Sequence, residues 1–201
     1  PRDLDAGCRL ELEAGDDQLT IATFNVLNLD PGDAAEGQFD NLADVIVDNL
    51  RSPDIVALQE IQDNSGPTDD GVVDADQTLA ALTGAITAAG GPLYTAFEIA
   101  PVDNTSGGQP GANIRVAYLY NPARVQFDEI PGADALTANL VDDGPTLAFN
   151  PGYVDPANPA FDGARKPLAA QFRFNGQDVF VINNHFSSKG GDDPLYGFNQ
   201  A

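Results

Sequence analysis

The sequence predicts an α/β or mixed-sheet fold in a single domain, and three observations carry that reading. A strand, a helix and a second strand follow one another within about 45 residues near the start, the opening of a βαβ-type unit. The second half turns to short runs of β-branched and aromatic residues separated by glycine and proline. The chain has 201 residues, 42% of them hydrophobic and 20% charged, which is the length and composition of one globular domain with a sizeable core.

The first 17 residues are acidic and aperiodic and read as a leader or linker, with residues 18–201 as the domain portion. Gln18 to Leu27 (QLTIATFNVL) alternates apolar and polar residues over a β-branched run, so a strand half-buried on one face is expected. Residues 38–50 place Phe39, Leu42, Val45, Ile46 and Leu50 on one helical face, and Pro53 stops that helix. Asp54 to Ile61 (DIVALQEI) is a buried strand. A polar loop over residues 62–73 follows, and Asp74 with Gln77 has the spacing of a capping box before the apolar positions Leu79, Leu82 and Ile86. Gly90-Gly91-Pro92 ends this second helix. Leu93–Ile99, Ile114–Tyr120, Leu168–Phe174 and Val179–Asn183 read as strands, the last two joined by Asn175-Gly176, a type I′ hairpin signal. Residues 131–163 carry no period and form an irregular excursion rich in proline, glycine, alanine and aspartate.

The charge balance narrows the partners. Against 31 acidic residues stand seven arginines and two lysines, a formal net charge of −22. That excludes the usual basic groove for nucleic acid, so a polyanionic substrate needs cations supplied from outside. No apolar run approaches the roughly 20 residues of a membrane span. The chain has no methionine and starts Pro1-Arg2-Asp3, as a processed protein or a fragment does. Together with its acidity and its preference for arginine over lysine, this favours an extracellular or periplasmic setting. A single Cys8 cannot form an internal disulfide, and it has no neighbouring base that would make it a nucleophile.

Several residues carry candidate chemistry. Glu60 stands at the carboxyl end of Ile55-Val56-Ala57-Leu58-Gln59-Glu60, where ligands bind in sheets of this kind. It is a candidate metal ligand or, on position alone, a charge where a strand meets solvent. Asn25 holds the corresponding place on the first strand, where its amide oxygen can orient a carboxylate or bind a hard cation, or where it simply forms a turn. His185 is the only histidine and follows a very apolar strand in the run Asn183-Asn184-His185-Phe186-Ser187-Ser188-Lys189. This polar cluster can hydrogen-bond an anion, with the histidine as a tunable donor; the competing role is a half-buried strand cap. Arg115 begins a strand after a glycine-rich loop (Gly107, Gly108, Gly111) and can offer a guanidinium to a phosphate or form a salt bridge. Arg165-Lys166-Pro167 is the densest basic point, a phosphate contact or the flank of a strand. The loop from Asp63 to Asp76 holds five aspartates able to bind Ca²⁺, although the spacing is not that of an EF-hand and a solvated acidic loop explains it as well.

In their order and spacing, IATFNVLNL, PDIVALQEIQDN, GGQPGANIRVAYLYNPARV and RKPLAAQFRFNGQDVFVINNHFSSKGGD resemble the endonuclease/exonuclease/phosphatase (deoxyribonuclease I-like) superfamily, in its secreted bacterial nuclease-like branch. The likeness runs from about Leu19 to Gly191. It implies a two-layer β-sandwich flanked by helices, with a Mg²⁺- or Mn²⁺-dependent phosphoesterase site at the strand ends. Carried over by resemblance, Glu60 is the metal-binding glutamate and Asn25 the asparagine that supports it. His185 contacts the scissile phosphate, with Glu98 as the glutamate that holds it, and Arg115 lies near the substrate backbone. Arg165, Asn184 and Lys189 would then bind substrate.

The resemblance also implies groups that the sequence lacks. The family's Gly-Asp-x-Asn motif is absent, because the Gly-Asp steps at 15–16, 32–33 and 191–192 are not followed by the required asparagine, and no second histidine exists for the C-terminal Asp-His pair. The chain therefore reads as the N-terminal portion of a domain incomplete at its C-terminus, inactive alone and in need of a C-terminal remainder. The expected function is a secreted, metal-dependent nuclease cleaving DNA or RNA. The alternatives are a phosphomonoesterase or lipid phosphodiesterase of the same superfamily, and a non-catalytic Ca²⁺-binding or interaction module.

Overall fold

The computed structural model describes residues 15–141 and 144–186, which form two stacked sheets with helices against one of them. The first sheet contains β1 (Ile21–Leu29), β2 (Ile55–Ile61), β3 (Thr95–Glu98) and β4 (Arg115–Tyr120), in the order β1-β2-β4-β3. β1 and β2 are parallel, Ile21 opposite Ile55, because the chain between them crosses over through α1 (Gln38–Asp44). β2, β4 and β3 are antiparallel neighbours. The second sheet is built on two short strands, β5 (Gln126–Phe127) and β6 (Gly152–Tyr153), and the hairpin of β7 (Leu168–Phe174) and β8 (Gln177–Asn183). β5 and β6 share one edge of β7, and β8 takes the other.

Strand periodicity divides the core in two. Ile55 and Ala57 of β2, with Val116 and Tyr118 of β4, pack against Leu168, Ala170, Phe172 and Phe174 of the second sheet. The alternate residues Val56, Leu58, Ala117 and Leu119 meet Phe39, Leu42 and Ile46 and, from α2 (Asp76–Ala88), Leu79, Leu82 and Ile86. A cluster of Phe97, Tyr118, Phe127 and Phe172 fills the space between the sheets, with Phe97 stacked on Phe127 at 4.3 Å. Polar atoms complete the junction. The Tyr118 hydroxyl, its pKa pushed up by burial, donates to the carbonyls of Leu168 at 3.0 Å or Val181 at 2.9 Å.

The elements follow the sequence closely, with informative differences. The hairpin turn at Asn175-Gly176 has positive φ at both positions (48° and 76°), as a type I′ turn requires. The first helix keeps its expected buried face but changes pitch after Asp44. Leu50 N bonds Val45 O five residues back, and Arg51 and Ser52 are left-handed (φ 64° and 50°) before Pro53, which disfavours a helical residue ahead of it. The expected Asp74–Gln77 capping box does not form. α2 starts at Asp76 with Ala75 in the cap position, and Asn64 caps it from the preceding loop, accepting from Gln77 N at 2.9 Å and donating to Asp76 at 2.6 Å. The excursion over 131–163 is irregular but contributes β6. Of the leader, only residues 15–17 are described. Arg124 anchors that approach by donating to the carbonyls of Gly15 at 3.2 Å and Gln18 at 2.9 Å.

The carboxyl ends of β1, β2 and β8 and the amino ends of β4 and β7 all lie at one end of the sandwich. Among the described residues, β8 has an unpaired second edge, and Phe180 and Ile182 on its outer face are 44% and 53% exposed. No described helix is long and apolar enough to cross a membrane.

Candidate active site

Glu60 owes its position to a β-bulge. Gln59 is opposite Val116 and Ile61 is opposite Arg115, so Glu60 is an extra residue in β2, held at φ 66° in the left-handed region. β1 is irregular at the same level, with Leu27 and Asn28 at φ 60° and 55°. A non-glycine residue in that region costs of order 1–3 kcal/mol, and such strain gathers at functional sites. The bulge interrupts strand alternation, leaving the Glu60 side chain 20% exposed between buried neighbours.

His185 reaches this carboxylate from the other sheet. Its Nε2 lies 3.3 Å from Glu60 Oε1. Arg165, just before β7, donates from Nε to His185 Nδ1 at 3.0 Å and from Nη2 to the Phe186 carbonyl at 2.9 Å, with Nη2 also 3.3 Å from Nε2. Burial and the adjacent guanidinium lower the His185 pKa from its ordinary 6.5, while Glu60 pulls it upward. Burial likewise lowers that of Arg165 against the attraction of Glu60. Arginine, imidazole and carboxylate thus form one linked row across the two sheet ends.

The bases of this row are the sheet junction itself. Asn183, 2% exposed, donates to the carbonyls of Leu58 at 2.8 Å and Ala117 at 3.0 Å and accepts from Gln59 Nε2 at 2.7 Å. Two residues further on the chain delivers His185. Neither Gln59 nor Asn183 nor the Arg165–His185 contact carried a local signal of its role, because each depends on a partner more than 19 residues away.

The other candidates take different places. Glu98 does not hold His185; it pairs with Arg115 Nη1 at 3.2 Å, and burial raises its pKa against the pull of that guanidinium. Arg115 is 1% exposed and donates from Nε to the Asn113 carbonyl at 3.1 Å, so its charge is enclosed and not offered to a phosphate at the surface. The carboxylate that meets His185 is Glu60, because the bulge turns it toward the second sheet. Asn25 is opposite Gln59 in register, one position from Glu60, but its Oδ1 accepts from Leu27 N at 2.9 Å in a local turn. Asn184 is exposed and donates to the Ile182 carbonyl at 3.2 Å. Lys189 and Cys8 lie outside the described residues. Four of the five aspartates of the 63–76 loop engage neighbours: Asp63 accepts from Ser65 and Asn113, Asp69 from Asn104, Asp70 from Ser65 and Val72, and Asp76 from Asn64.

Among the described residues, no group of three or more His, Cys, Asp or Glu side chains is arranged to hold a metal ion. Glu60 still fits a magnesium-type ion, because such an ion is bound through one or two carboxylates and keeps water or substrate phosphate at its other positions. The arrangement offers one accessible carboxylate, a histidine able to donate or accept a proton, and a partly exposed rim at the strand ends.

The sequence matches the Endonuclease/Exonuclease/phosphatase family over residues 22–192. No curated protein matches it. Among solved structures, an endonuclease/exonuclease/phosphatase family protein from Leptotrichia buccalis C-1013-b is 16% identical, with a TM-score of 0.51 over 87% of this chain and 57% of that one. A humanized D. rerio TDP2 is 20% identical, with a TM-score of 0.43 over 86% of this chain and 52% of that one. A functionally unknown conserved protein from Enterococcus faecalis V583 is 19% identical, with a TM-score of 0.44 over 83% and 52%. The chain therefore spans little more than half the length of these structures. With the two-sheet fold and the family match over most of its length, the chain belongs to the endonuclease/exonuclease/phosphatase family.

Proposed function

We propose that the domain to which this chain contributes is a metal-dependent phosphodiesterase, secreted or periplasmic, that cleaves DNA or RNA. The observation that carries the reading is the convergence of Glu60 and His185, 3.3 Å apart, from two different sheets on one end of the sandwich. The family's typical chemistry is hydrolysis of phosphoesters, and it generally uses divalent metals.

Glu60 would hold a Mg²⁺ or Mn²⁺ ion, which when bound would neutralise charge on the phosphoryl oxygens. The chain's own residues do the rest of what is present. Glu60 fixes the position of positive charge at the end of β2. His185 donates from Nε2 to a phosphate oxygen placed beside that carboxylate. Arg165 adds a fixed positive charge to a chain that is otherwise strongly negative, favouring the phosphate at that point. Further groups that activate the water and assist the leaving oxygen come, in this proposal, from a C-terminal remainder of the domain, and this chain alone is inactive.

The test is hydrolysis of plasmid DNA, RNA and a small phosphomonoester by the complete domain, with Mg²⁺ and with EDTA. Metal-dependent cleavage of the polynucleotides with little monoester turnover supports the reading; monoester turnover without polynucleotide cleavage overturns the nuclease assignment.

A further inference from the structure

The glycine-rich loop before β4 and the Arg165-Lys166-Pro167 segment, separate features in the sequence, meet in the structure. A Cβ on Gly107 would stand 1.7 Å from the Gly163 carbonyl oxygen, and Gly107 itself has φ 65°. The two backbones are thus in a contact that only glycine permits. A Cβ on Gly108 would lie 3.6 Å from Arg165 Nη1. This lock fixes the segment that leads into Arg165, which is 8% exposed.

From that seat Arg165 makes two bonds to successive residues, Nε to the His185 ring and Nη2 to the Phe186 carbonyl. Arginine has only donors, so Nδ1 of His185 must present its lone pair, and the ring proton of the neutral imidazole must be on Nε2. Nε2 lies 3.3 Å from Glu60 Oε1 and 3.3 Å from Arg165 Nη2. The directional bond from Arg165 Nε thus orients the ring and makes Nδ1 its acceptor.

We propose that Arg165 is a positioning residue that holds His185 as its Nε2–H tautomer, with Nε2 on the side of the ring beside Glu60. Gly107, which lets its backbone close on the Gly163 carbonyl, holds the segment that seats it. The assignment of a task to the oriented proton rests on the phosphodiesterase reading; the orientation itself does not.

Because His185 is the only histidine, its ring nitrogens can be read without ambiguity in protein labelled with ¹⁵N at arginine and histidine. The proposal expects a proton on Nε2, a lone pair on Nδ1, and a scalar coupling across the hydrogen bond between Arg165 Nε and His185 Nδ1. A proton on Nδ1, or no such coupling in the folded metal-free protein, overturns it. This result is independent of any activity, so it fails or holds separately from the functional reading. In the complete active domain, Arg165→Lys and Arg165→Gln are expected to lower kcat about 10- to 100-fold, the usual effect of removing a residue that orients a site group. A rise in KM with kcat unchanged would instead make Arg165 a direct phosphate ligand and overturn the positioning role.

Discussion

Gln59 Nε2 donates to Asn183 Oδ1 at 2.7 Å, joining the two sheets one residue before Glu60 and two residues before His185. Asn183 also satisfies the carbonyls of Leu58 and Ala117, so a single amide ties β8 to two strands of the other sheet. The site is thus built directly on a polar junction between the layers, and its geometry is only as firm as that junction.

Asn183→Ala removes the buried donor to the Leu58 and Ala117 carbonyls and the acceptor of Gln59 Nε2, which keeps its bonds to Thr23 Oγ1 and the Ala57 carbonyl. The expected loss is about 1–3 kcal/mol of stability, seen as a lower urea midpoint with an unchanged slope. Gln59→Ala should cost less, and the double variant should show a coupling of about 0.5–3 kcal/mol between the two positions. Additive losses would show that the inter-sheet bond is not formed in solution.

Glu60→Gly separates strain from function. Glycine accepts a φ of 66° freely, so relief of part of the roughly 1–3 kcal/mol of strain offsets the loss of the side chain's contacts, and stability should hold or rise. Phosphoester cleavage by the complete domain should fall at the same time by more than 100-fold, beyond the roughly 10–100-fold typical of losing a supporting residue. Thermal unfolding and turnover measured on one preparation test both signs.

The enclosed pair of Glu98 and Arg115 should behave as a unit. Glu98→Gln or Arg115→Met alone leaves a buried charge uncompensated and should cost about 3–5 kcal/mol, whereas Glu98→Leu with Arg115→Met should cost much less. The Glu98 carboxyl titrates above its ordinary 4.5 because burial outweighs the attraction of Arg115. A folded-state pKa above the unfolded one favours folding most at low pH, so this group's contribution is lost as pH rises from 4.5 through the raised value. Carbon-13 titration of Glu98 should show a midpoint above 4.5; a midpoint below it would contradict the burial argument.

Gly107→Ala forces a carbon to within 1.7 Å of the Gly163 carbonyl oxygen unless one backbone moves. The expected result is a destabilisation above about 1 kcal/mol, with a changed His185 ring signal. Gly84→Ala, in the middle of α2 where a Cβ meets nothing within 4 Å, is the control and should gain about 0.5–1 kcal/mol.

The sequence made the strands of both sheets readable wherever the run was long enough for a period of two to show. β1, β2, β4, β7 and β8 have six to nine residues each, and the hairpin residues Asn175-Gly176 announced their turn. β5 and β6, two residues each, are too short to carry any period. Asn64 could not be read as the cap of α2, because it lies 13 residues before the amide it caps. Glu60 and His185 were both legible as candidates, but their contact depends on a bulge that no local residue preference signals. Glu98 was matched to the wrong partner, since a buried charge in a strand is defined by whatever arginine the neighbouring strand brings beside it.

We propose Glu60 as the anchor of a metal-dependent phosphodiester site. Its most direct test compares plasmid nicking by the complete domain and by its folded Glu60→Ala variant, each with Mg²⁺ and with EDTA. The expected result is nicking by the unaltered protein in Mg²⁺ alone, with EDTA and Glu60→Ala each abolishing it. Full activity in the Glu60→Ala variant, or nicking undiminished by EDTA, would contradict the account.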